Sequence, residues 1–365
     1  MSDKKKIGIL TFHNAHNYGA VLQCYALCKT LSSLGHDIEV IDYYPTYFRE
    51  QYISISKRNM HGMSFRGKIA YLINQLLTCR IRKKRSIGFD NFIGNLPLSP
   101  LMYTENSIMF NKYDAIIFGS DQIWNPILTF GEDNIYSGNF NVQGAKRIAY
   151  AASTSPQICI NKYKGYFRGI IERFNTISVR EGSLNDYING IQPGTSRVVL
   201  DPVLLLDRES WYKIAVKPSV QNYLLIYTVP QNPKVWELAS MIASYKGLQI
   251  VEIRPNVSRK SRQNVYQHVS PEEFLGYFQH ASYIVTTSFH GTAFALKFNK
   301  QFVTLKLGSA VDDRAANLLN ITGLSERMIA YNALHIPTED IIYDDVNKIL
   351  QGQIVSSLSF IENSL

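Results

Sequence analysis

The sequence predicts an α/β fold in which two doubly wound domains face each other across a cleft. Three observations favour it: the chain is long, short apolar strands alternate with amphipathic helices, and the alternation starts again after residue 221. A chain of 365 residues exceeds one ordinary core. We therefore predict an N-terminal domain over 1–210, a C-terminal domain over 211–340, and a helical tail over 341–365 that packs back on the N-terminal domain.

The first series of elements opens with a βαβ unit. "KIGILTF" (6–12) is a short apolar strand, a helix follows over residues 19–35, and "DIEVIDY" (37–43) is the next strand. Strands joined through a helix lie parallel in their sheet. Further strands of this series are predicted at 113–120, 147–153, 176–181 and 197–202.

The second series repeats the same alternation. Its strands are predicted at 222–229, 248–255, 283–288 and 301–307, and its helices at 232–246, 271–281, 291–299 and 312–323, before a final helical region near 338–362. In doubly wound sheets a ligand binds beyond the carboxyl ends of the strands. The residues that follow each strand are therefore the candidates for a site in the cleft.

Composition indicates a globular protein, with 45% hydrophobic and 18% charged residues. No apolar run approaches the roughly 20 residues that a membrane-spanning helix needs. The N-terminal "MSDKKKIGILTF" reads as a charged lead-in to the first strand and not as a signal peptide. These features predict a cytoplasmic protein.

The formal charge of +9 suggests an anionic partner. Much of this charge lies in residues 66–89, where apolar positions at helical spacing precede a run of cations. The tract is either a solvated helix end or a contact with an anionic membrane surface that brings the protein to a lipid-linked substrate. It carries no nucleic-acid-binding motif, so no nucleic-acid partner is predicted. The sequence leaves the oligomeric state open.

The four cysteines predict neither a metal site nor disulfides. Cys24 and Cys28 share one helix face, but no second Cys/His pair completes a zinc set with them. Disulfides are not expected in a reducing compartment.

The first strand leads into a turn that contains Asn17, Tyr18 and Gly19. Their side chains and backbone could bind a ligand, and the helix that begins here favours an anion at its N-terminus. An equally good interpretation is an ordinary turn in which Asn17 caps the helix and Gly19 allows close packing. The dinucleotide fingerprint GxGxxG is absent.

The strand ending near residue 118 is followed by a turn rich in hydrogen-bonding groups. Trp124 is either a platform for a sugar ring or a hydrophobic plug in the domain base. Asp121 orients a sugar hydroxyl, accepts its proton, or only caps a helix. The sequence favours the binding interpretation for this turn, whose polar members also include Ser120, Gln122 and Asn125.

Two arginines are candidates for anion binding. Arg180 directly follows a buried strand, where its guanidinium can clamp a carboxylate or phosphate, unless it only forms an ion pair with Glu181 or Asp201. Arg314 lies in the first turn of a helix, where a cation is unfavourable to the helix dipole, and this position favours anion binding.

The stretch "YIVTTSFHGTAFALKF" (283–298) places Ser288 and His290 where a buried strand turns into a helix. Gly291 allows close approach of the backbone, and the amides near Thr292 can hold an anion. His290 is the predicted catalyst of proton transfer near neutral pH, because imidazole is suited to that role.

Six motifs occur in order along the chain, and together they resemble the polysaccharide pyruvyl transferase family. They are "HNAHNYGAVLQCYAL" (13–27), "FGSDQIWNP" (118–126), "SVRE" (178–181), "LDP" (200–202), "TTSFHGTAFAL" (286–296) and "DDRAANLL" (312–319). The resemblance implies a GT-B-like pair of Rossmann-type domains. It also implies transfer of a pyruvyl group from phosphoenolpyruvate to hydroxyls of a sugar as a cyclic ketal, with no cofactor besides this donor.

The resemblance also assigns roles. His290 would protonate the donor, Arg180 would lie near it, and Asn17, Gly19 and the turn over 119–125 would face the acceptor sugar. Many family members have an arginine two residues before the histidine, where this chain has Ser288. Arg314 or Arg254 would then supply the missing charge. The alternatives are a GT-B glycosyltransferase that uses a nucleotide sugar, and a non-catalytic sugar- or anion-binding protein on the same fold.

Overall fold

The computed structural model describes residues 4–48, 60, 62–102, 110–142, 144–229, 232–259, 262–308 and 312–365. Two parallel sheets of six strands organise these residues, and helices cover the sheets. Many strands are buried along their whole length, as Tyr223–Tyr227 is. Continuous apolar strands are typical of parallel sheets that carry helices on both faces.

The first sheet contains six strands in the order β2-β1-β3-β4-β5-β6. Ile7 of β1 pairs with Ile38 of β2 on one side and with Ala115 of β3 on the other, so the strand order reverses between β1 and β3. The strands are β1 (Lys6–Leu10), β2 (Asp37–Val40), β3 (Ala115–Phe118), β4 (Lys146–Ala152), β5 (Thr176–Val179) and β6 (Ser196–Val198).

The second sheet has the order β12-β11-β10-β7-β8-β9, the arrangement of a dinucleotide-binding Rossmann domain. Its strand order reverses between β7 and β10, where Leu224 pairs with Tyr283. The strands are β7 (Tyr223–Tyr227), β8 (Gln249–Ile253), β9 (Val265–Tyr266), β10 (Tyr283–Thr286), β11 (Phe302–Lys306) and β12 (Met328–Ala330).

Eleven α-helices have both of their ends among the described residues. They are α1 (Tyr18–Ser33), α2 (Phe65–Gly94), α3 (Lys164–Arg173), α4 (Gly182–Ile191), α5 (Pro202–Leu205), α6 (Arg208–Ile214), α7 (Pro233–Lys246), α8 (Pro271–His280), α9 (Phe289–Lys297), α10 (Asp312–Ile321) and α11 (Tyr343–Ser364). Local signals start several of them: Asn17 caps α1 by accepting from the Gly19 amide, and Ser270 and Glu273 form a capping box on α8.

The predicted fold class, two Rossmann-like domains facing each other in a GT-B-like arrangement, is confirmed by these sheets and their order. One boundary matters for the site. The helix expected at 291–299 begins two residues earlier, at Phe289, so His290 lies in the first helical turn.

The two domains contact each other through polar and aromatic side chains. Tyr18 of α1 stacks on Phe274 of α8, and its hydroxyl donates to the Val269 carbonyl at 2.8 Å. Ser183 of α4 donates to Asp313 of α10. The carboxyl ends of both sheets therefore meet, and the reversal points of both sheets lie on this side.

The C-terminal helix α11 returns to the first domain. Ser357 accepts a hydrogen bond from the Leu200 amide at 3.0 Å, and Lys146 donates to the Leu365 carbonyl at 3.0 Å. Phe360 packs near Tyr150 of β4.

Candidate active site

Asp201 lies at the centre of a charged cluster between the two domains. It is 1% exposed. Its Oδ2 accepts from Arg180 Nη1 at 2.6 Å and from Ser120 Oγ at 3.2 Å, and it lies 3.6 Å from His290 Nε2. One carboxylate oxygen thus faces groups from both domains.

The backbone around Asp201 holds this carboxylate in place. Asp201 caps the short helix α5, and its Oδ1 accepts from the Val203 amide at 3.0 Å. The preceding residue, Leu200, is fixed through its amide to Ser357 and through its carbonyl to the Tyr150 hydroxyl at 2.8 Å. Burial alone would raise the pKa of Asp201, but the neighbouring His290 and Arg180 hold that pKa well below its ordinary value.

Arg180 follows β5 and is buried. Besides the ion pair with Asp201, its Nη2 lies 3.5 Å from Asp121 Oδ1, and its guanidinium lies over the Phe289 ring at 4.7 Å from the ring centroid. Burial lowers the pKa of Arg180, yet Asp201, Asp121 and Glu181 together raise it above its ordinary value. Its Nε and Nη2 donate no hydrogen bond within the described part of the chain.

Glu181 and Arg314 complete the charged set. Glu181 is buried, accepts from the Thr154 amide at 2.9 Å, and leaves its second oxygen without a described partner. Burial raises its pKa, against the opposing charges of Arg180 and Arg314. The pKa of Arg314 is lowered by burial first and then by Arg180. Among described residues, Arg314 has no ion-pair partner within 4.0 Å, although it is only partly exposed.

His290 reaches the cluster from the second domain. Its Nε2 is buried and without a hydrogen-bond partner among the described residues, since 3.6 Å to Asp201 exceeds hydrogen-bonding distance. The other side of the ring lies against Gly19 of α1. A Cβ added at Gly19 would lie 2.0 Å from His290 Nδ1, so any side chain there would displace the imidazole.

The first turn of α9 presents backbone amides at the same place. Thr292 is the first residue whose amide has a helical partner, the Ser288 carbonyl at 2.9 Å, and the amides of 289–291 precede it. A Cβ at Gly291 would lie 2.1 Å from Thr286 Oγ1, so glycine is required there by close packing against β10.

Asp121 faces the cluster from the turn after β3. Its backbone is left-handed, with φ of 73°, and its Oδ1 accepts from the Gln122 amide at 2.8 Å. Ser120 beside it is fully buried, and its amide donates to Gln23 at 3.2 Å. Ser120 therefore orders the cluster through Asp201 and is not open to an acceptor.

Several other residues expected to bind the acceptor have structural roles here. Trp124 is fully buried, packs near Phe174, and donates from Nε1 to the Tyr136 carbonyl, so it is a plug of the domain core and not a sugar platform. Asn125 is buried and donates to Gln122 at 2.8 Å. Tyr18 is buried in the domain interface, and burial raises its pKa to about 12.

Asn17, Thr292 and Ser288, which the sequence predicts around the cleft, also have structural contacts of their own. Asn17 is exposed and caps α1, as one of its two interpretations proposes. Thr292 is fully buried with its hydroxyl on Thr304 at 2.7 Å, so its side chain faces the core and not a donor. Ser288 is buried next to Tyr227.

The comparison with protein families identifies the chain. A sequence model described as polysaccharide pyruvyl transferase matches residues 17–309. The chain belongs to this family. The matched range contains Asp121, Arg180, Asp201 and His290, whereas Arg314 lies just beyond it.

Solved structures of other enzymes have a similar overall course at low sequence identity. A putative UDP-N-acetylglucosamine 2-epimerase from Listeria monocytogenes is 9% identical with a TM-score of 0.48, covering 99% of this chain and 89% of that one. A UDP-GlcNAc 2-epimerase from Methanocaldococcus jannaschii, in complex with UDP-GlcNAc and UDP, is 12% identical with a TM-score of 0.45, covering 96% and 92%. An alpha-glucosyltransferase bound to UDP and DNA is 9% identical with a TM-score of 0.47, covering 97% and 91%. No curated protein matches the chain.

Arg254 and Arg314 are the two arginines predicted to supply the charge that this family member lacks at Ser288. They differ in whether their charge is already paired. Arg254 donates from Nε and Nη2 to Glu252 at 3.0 and 2.8 Å, so its charge is already paired at the end of β8. Arg314 lies among the acidic groups and Arg180 without such a pair.

Sequence reasoning missed two members of the cluster, Asp201 and Glu181, which it considered only as ion-pair partners of Arg180. Glu181 comes two residues after β5 and Asp201 three residues after β6, within the "SVRE" and "LDP" motifs. Position after a strand was the signal that could have found them, because the same rule selected Arg180 and Asp121.

Two absences apply to the described ranges alone. They contain no group of three His, Cys, Asp or Glu side chains placed to hold a metal ion. They also contain no helix that is both long and apolar enough to cross a membrane.

Proposed function

We propose that this polysaccharide pyruvyl transferase moves the pyruvyl group of phosphoenolpyruvate onto two hydroxyls of a sugar, forming a cyclic ketal in the biosynthesis of a cell-surface or exported polysaccharide. The supporting observation is the meeting of His290 Nε2, without a hydrogen-bond partner, with Arg180 and Arg314 at the carboxyl ends of both sheets. A proton donor and two cations in one cleft suit a donor that carries a carboxylate and a phosphate.

The cations and amides would bind the donor. Arg180 is held by Asp201 but keeps Nε and Nη2 free of hydrogen bonds in the described structure, and Arg314 has no ion pair there. These donors and the α9 amides favour a doubly anionic ligand. We assign the donor to the part of the cleft that contains Arg180, Arg314 and the α9 amides. Arg314 would supply the positive charge that is missing at Ser288.

His290 would begin the reaction as a general acid. Its proton goes from Nε2 to the methylene carbon of phosphoenolpyruvate, which makes the neighbouring carbon electrophilic. Asp201 beside this nitrogen stabilises positive charge on the ring and fixes its orientation. Gly19 leaves the space that the ring occupies.

Bond formation and departure of phosphate follow. One sugar hydroxyl forms a C–O bond to the electrophilic carbon, the bond from that carbon to the phosphate oxygen breaks, and a second hydroxyl closes the ketal. In the sum, the two hydroxyl protons are balanced by the proton on the new methyl group and the proton taken up by phosphate. Asp121, 3.5 Å from Arg180 Nη2, is the proposed acceptor of a hydroxyl proton.

The test of this proposal is calorimetric titration of the full chain with phosphoenolpyruvate, beside uridine diphosphate as a control ligand. We expect saturable binding of phosphoenolpyruvate that weakens about tenfold or more in Arg314→Gln, because one charge-assisted contact is lost. Arg168→Gln, which removes an exposed arginine of α3, is the matched control and should bind normally.

Binding of uridine diphosphate without phosphoenolpyruvate would contradict the proposed donor and favour a nucleotide-sugar transferase. Unchanged affinity in Arg314→Gln would remove Arg314 from the donor site while leaving the donor itself in place.

A further inference from the structure

Helix α2 has a buried face of mixed polarity, which packs inside the protein, and a separate exposed apolar face. Its buried side chains are Gln75, Thr78, Arg85, Phe89, Phe92 and Ile93. Arg85 donates to the Tyr18 hydroxyl at 3.3 Å and to the His16 carbonyl at 3.0 Å. Gly88 packs so closely on Ser270 that a Cβ there would lie 2.9 Å from the serine Cβ. This face therefore joins α2 to both domains.

The apolar face of α2 lies roughly opposite the buried face. An α-helix turns about 100° per residue, and at this angle six apolar residues between positions 65 and 87 fall in one stripe along the helix. Phe65 is 78% exposed and Leu76 is 73% exposed, and the others are exposed as well. This α2 stripe consists of Phe65, Ile69, Leu72, Ile73, Leu76 and Ile87.

The charge around the α2 stripe is strongly positive. Residues 64–89 contain seven lysines and arginines, and the one acidic residue of the helix, Asp90, accepts from His16 and Ser86. Arg80 and Lys83 continue the stripe along the same side of the helix, and both are exposed. An exposed apolar stripe flanked by cations is typical of a helix that lies in a membrane interface.

We propose that the α2 stripe docks this protein on an anionic lipid bilayer, with the helix lying in the plane of the headgroups. The apolar side chains would enter the acyl boundary, and Arg80, Lys83 and Lys84 would contact the acidic headgroups. A second copy of the chain fits less well, because a two-fold interface through this stripe would bring identical cations together.

This assignment narrows the membrane contact that the sequence predicts over residues 66–89. Within the basic run, Arg85 is buried and Arg82 donates to the Val257 carbonyl at 3.2 Å, so these two arginines bind the protein itself. The lipid contact is left to the exposed side of the helix, from Phe65 onward. Because the opposite face of α2 contacts Tyr18, next to Gly19 and the His290 ring, docking would hold the cleft close to the lipid surface. Only the use of this closeness for a lipid-linked acceptor rests on the proposed function.

The test is sedimentation of the full chain with vesicles of phosphatidylcholine, alone or mixed with phosphatidylglycerol. We expect binding to the mixed vesicles that falls as salt rises. The variant Ile69→Ser/Leu72→Ser/Leu76→Ser should bind about tenfold more weakly or worse, because three apolar side chains no longer enter the boundary. The matched control is Met241→Ser/Tyr245→Ser/Val355→Ser, which removes exposed apolar side chains elsewhere and should bind normally.

Calorimetry with phosphoenolpyruvate on the same variants separates this inference from the proposed function, since the stripe variant should keep its donor affinity. Equal vesicle binding by the stripe variant and the parent chain would overturn the proposal. So would a dimer, seen by sedimentation equilibrium, that depends on the stripe while vesicles are not bound. Equal binding to neutral and anionic vesicles would overturn the role of the cations.

Discussion

Gly19 and His290 come from different domains, and each restricts what the other position can hold. Gly19→Ala would place a Cβ 2.0 Å from His290 Nδ1 and force the ring away from Asp201. We expect the imidazole resonance of His290, assigned by its loss in His290→Gln, to shift in this variant and to respond no longer to phosphoenolpyruvate. Nuclear magnetic resonance of histidine-labelled protein measures this.

Gly352→Ala is the control for that measurement. Gly352 lies on α11 with nothing within 4 Å of an added Cβ, so alanine should leave the His290 signal unchanged and improve helix propensity by about 1 kcal/mol. A Gly19→Ala protein whose His290 signal still responds to phosphoenolpyruvate would show that the contact does not position the ring.

The ionised Asp201 carboxylate should make the free energy of unfolding fall as the pH is lowered. Its pKa is depressed in the folded state, where His290 and Arg180 outweigh burial. Its stabilising contribution is therefore present above the unfolded pKa of about 3.9 and is lost as pH falls below it. We expect Asp201→Asn to be about 3–5 kcal/mol less stable at pH 7, because Arg180 loses its partner. In urea unfolding, this difference should shrink as pH is lowered towards 3.

The matched control is Asp207→Asn, an exposed aspartate that caps α6. Asparagine caps nearly as well, so its unfolding free energy should change by only a few tenths of a kcal/mol. A deficit of Asp201→Asn that stays constant between pH 7 and 3 would mean that Asp201 does not supply the charge-dependent stability.

At the scale of secondary structure, the sequence predicts the long apolar elements well and the short ones poorly. β1 and β7 are largely apolar runs, and a short apolar run predicts a buried strand without information from the rest of the chain. β9 has two residues and β12 three, too few for any periodicity to appear. The sequence predicts the start of α9 two residues late, at Gly291, although Ser288 is of a residue type that favours the N-cap position. The Ser288 side chain makes no capping hydrogen bond in the structure.

The candidate site shows the same division. Position after a strand was enough to select Asp121, Arg180 and His290, because the carboxyl ends of parallel strands share one edge. The sequence does not predict which of these side chains contact each other, because the distance from Asp201 to His290 depends on how the two domains meet. The polar neighbours of Trp124 in the sequence favour a binding role, whereas its burial is decided by packing against Phe174 from another part of the chain.

At the scale of the whole molecule, the chain passes from the first domain to the second and then returns to the first through α11. This last helix contacts the segment that carries Asp201. α11 follows the second domain yet contacts the first through Ser357, Phe360 and the terminal carbonyl. Ser357 accepts from the amide of Leu200, the residue before Asp201. The last helix therefore supports the turn that carries the central carboxylate, in addition to covering the first domain.

Ser357→Ala tests this long-range support. The variant leaves the Leu200 amide buried without an acceptor, so we expect a loss of about 1–3 kcal/mol in the free energy of unfolding. A loosened Asp201 turn should also weaken phosphoenolpyruvate binding in calorimetry. Ser356→Ala changes the exposed neighbour on the same helix and should alter neither quantity. If the two variants unfold at the same urea concentration, α11 does not hold the turn, and the position of Asp201 comes from its other contacts, which are α5, Arg180, Ser120 and the Tyr150 hydroxyl on Leu200.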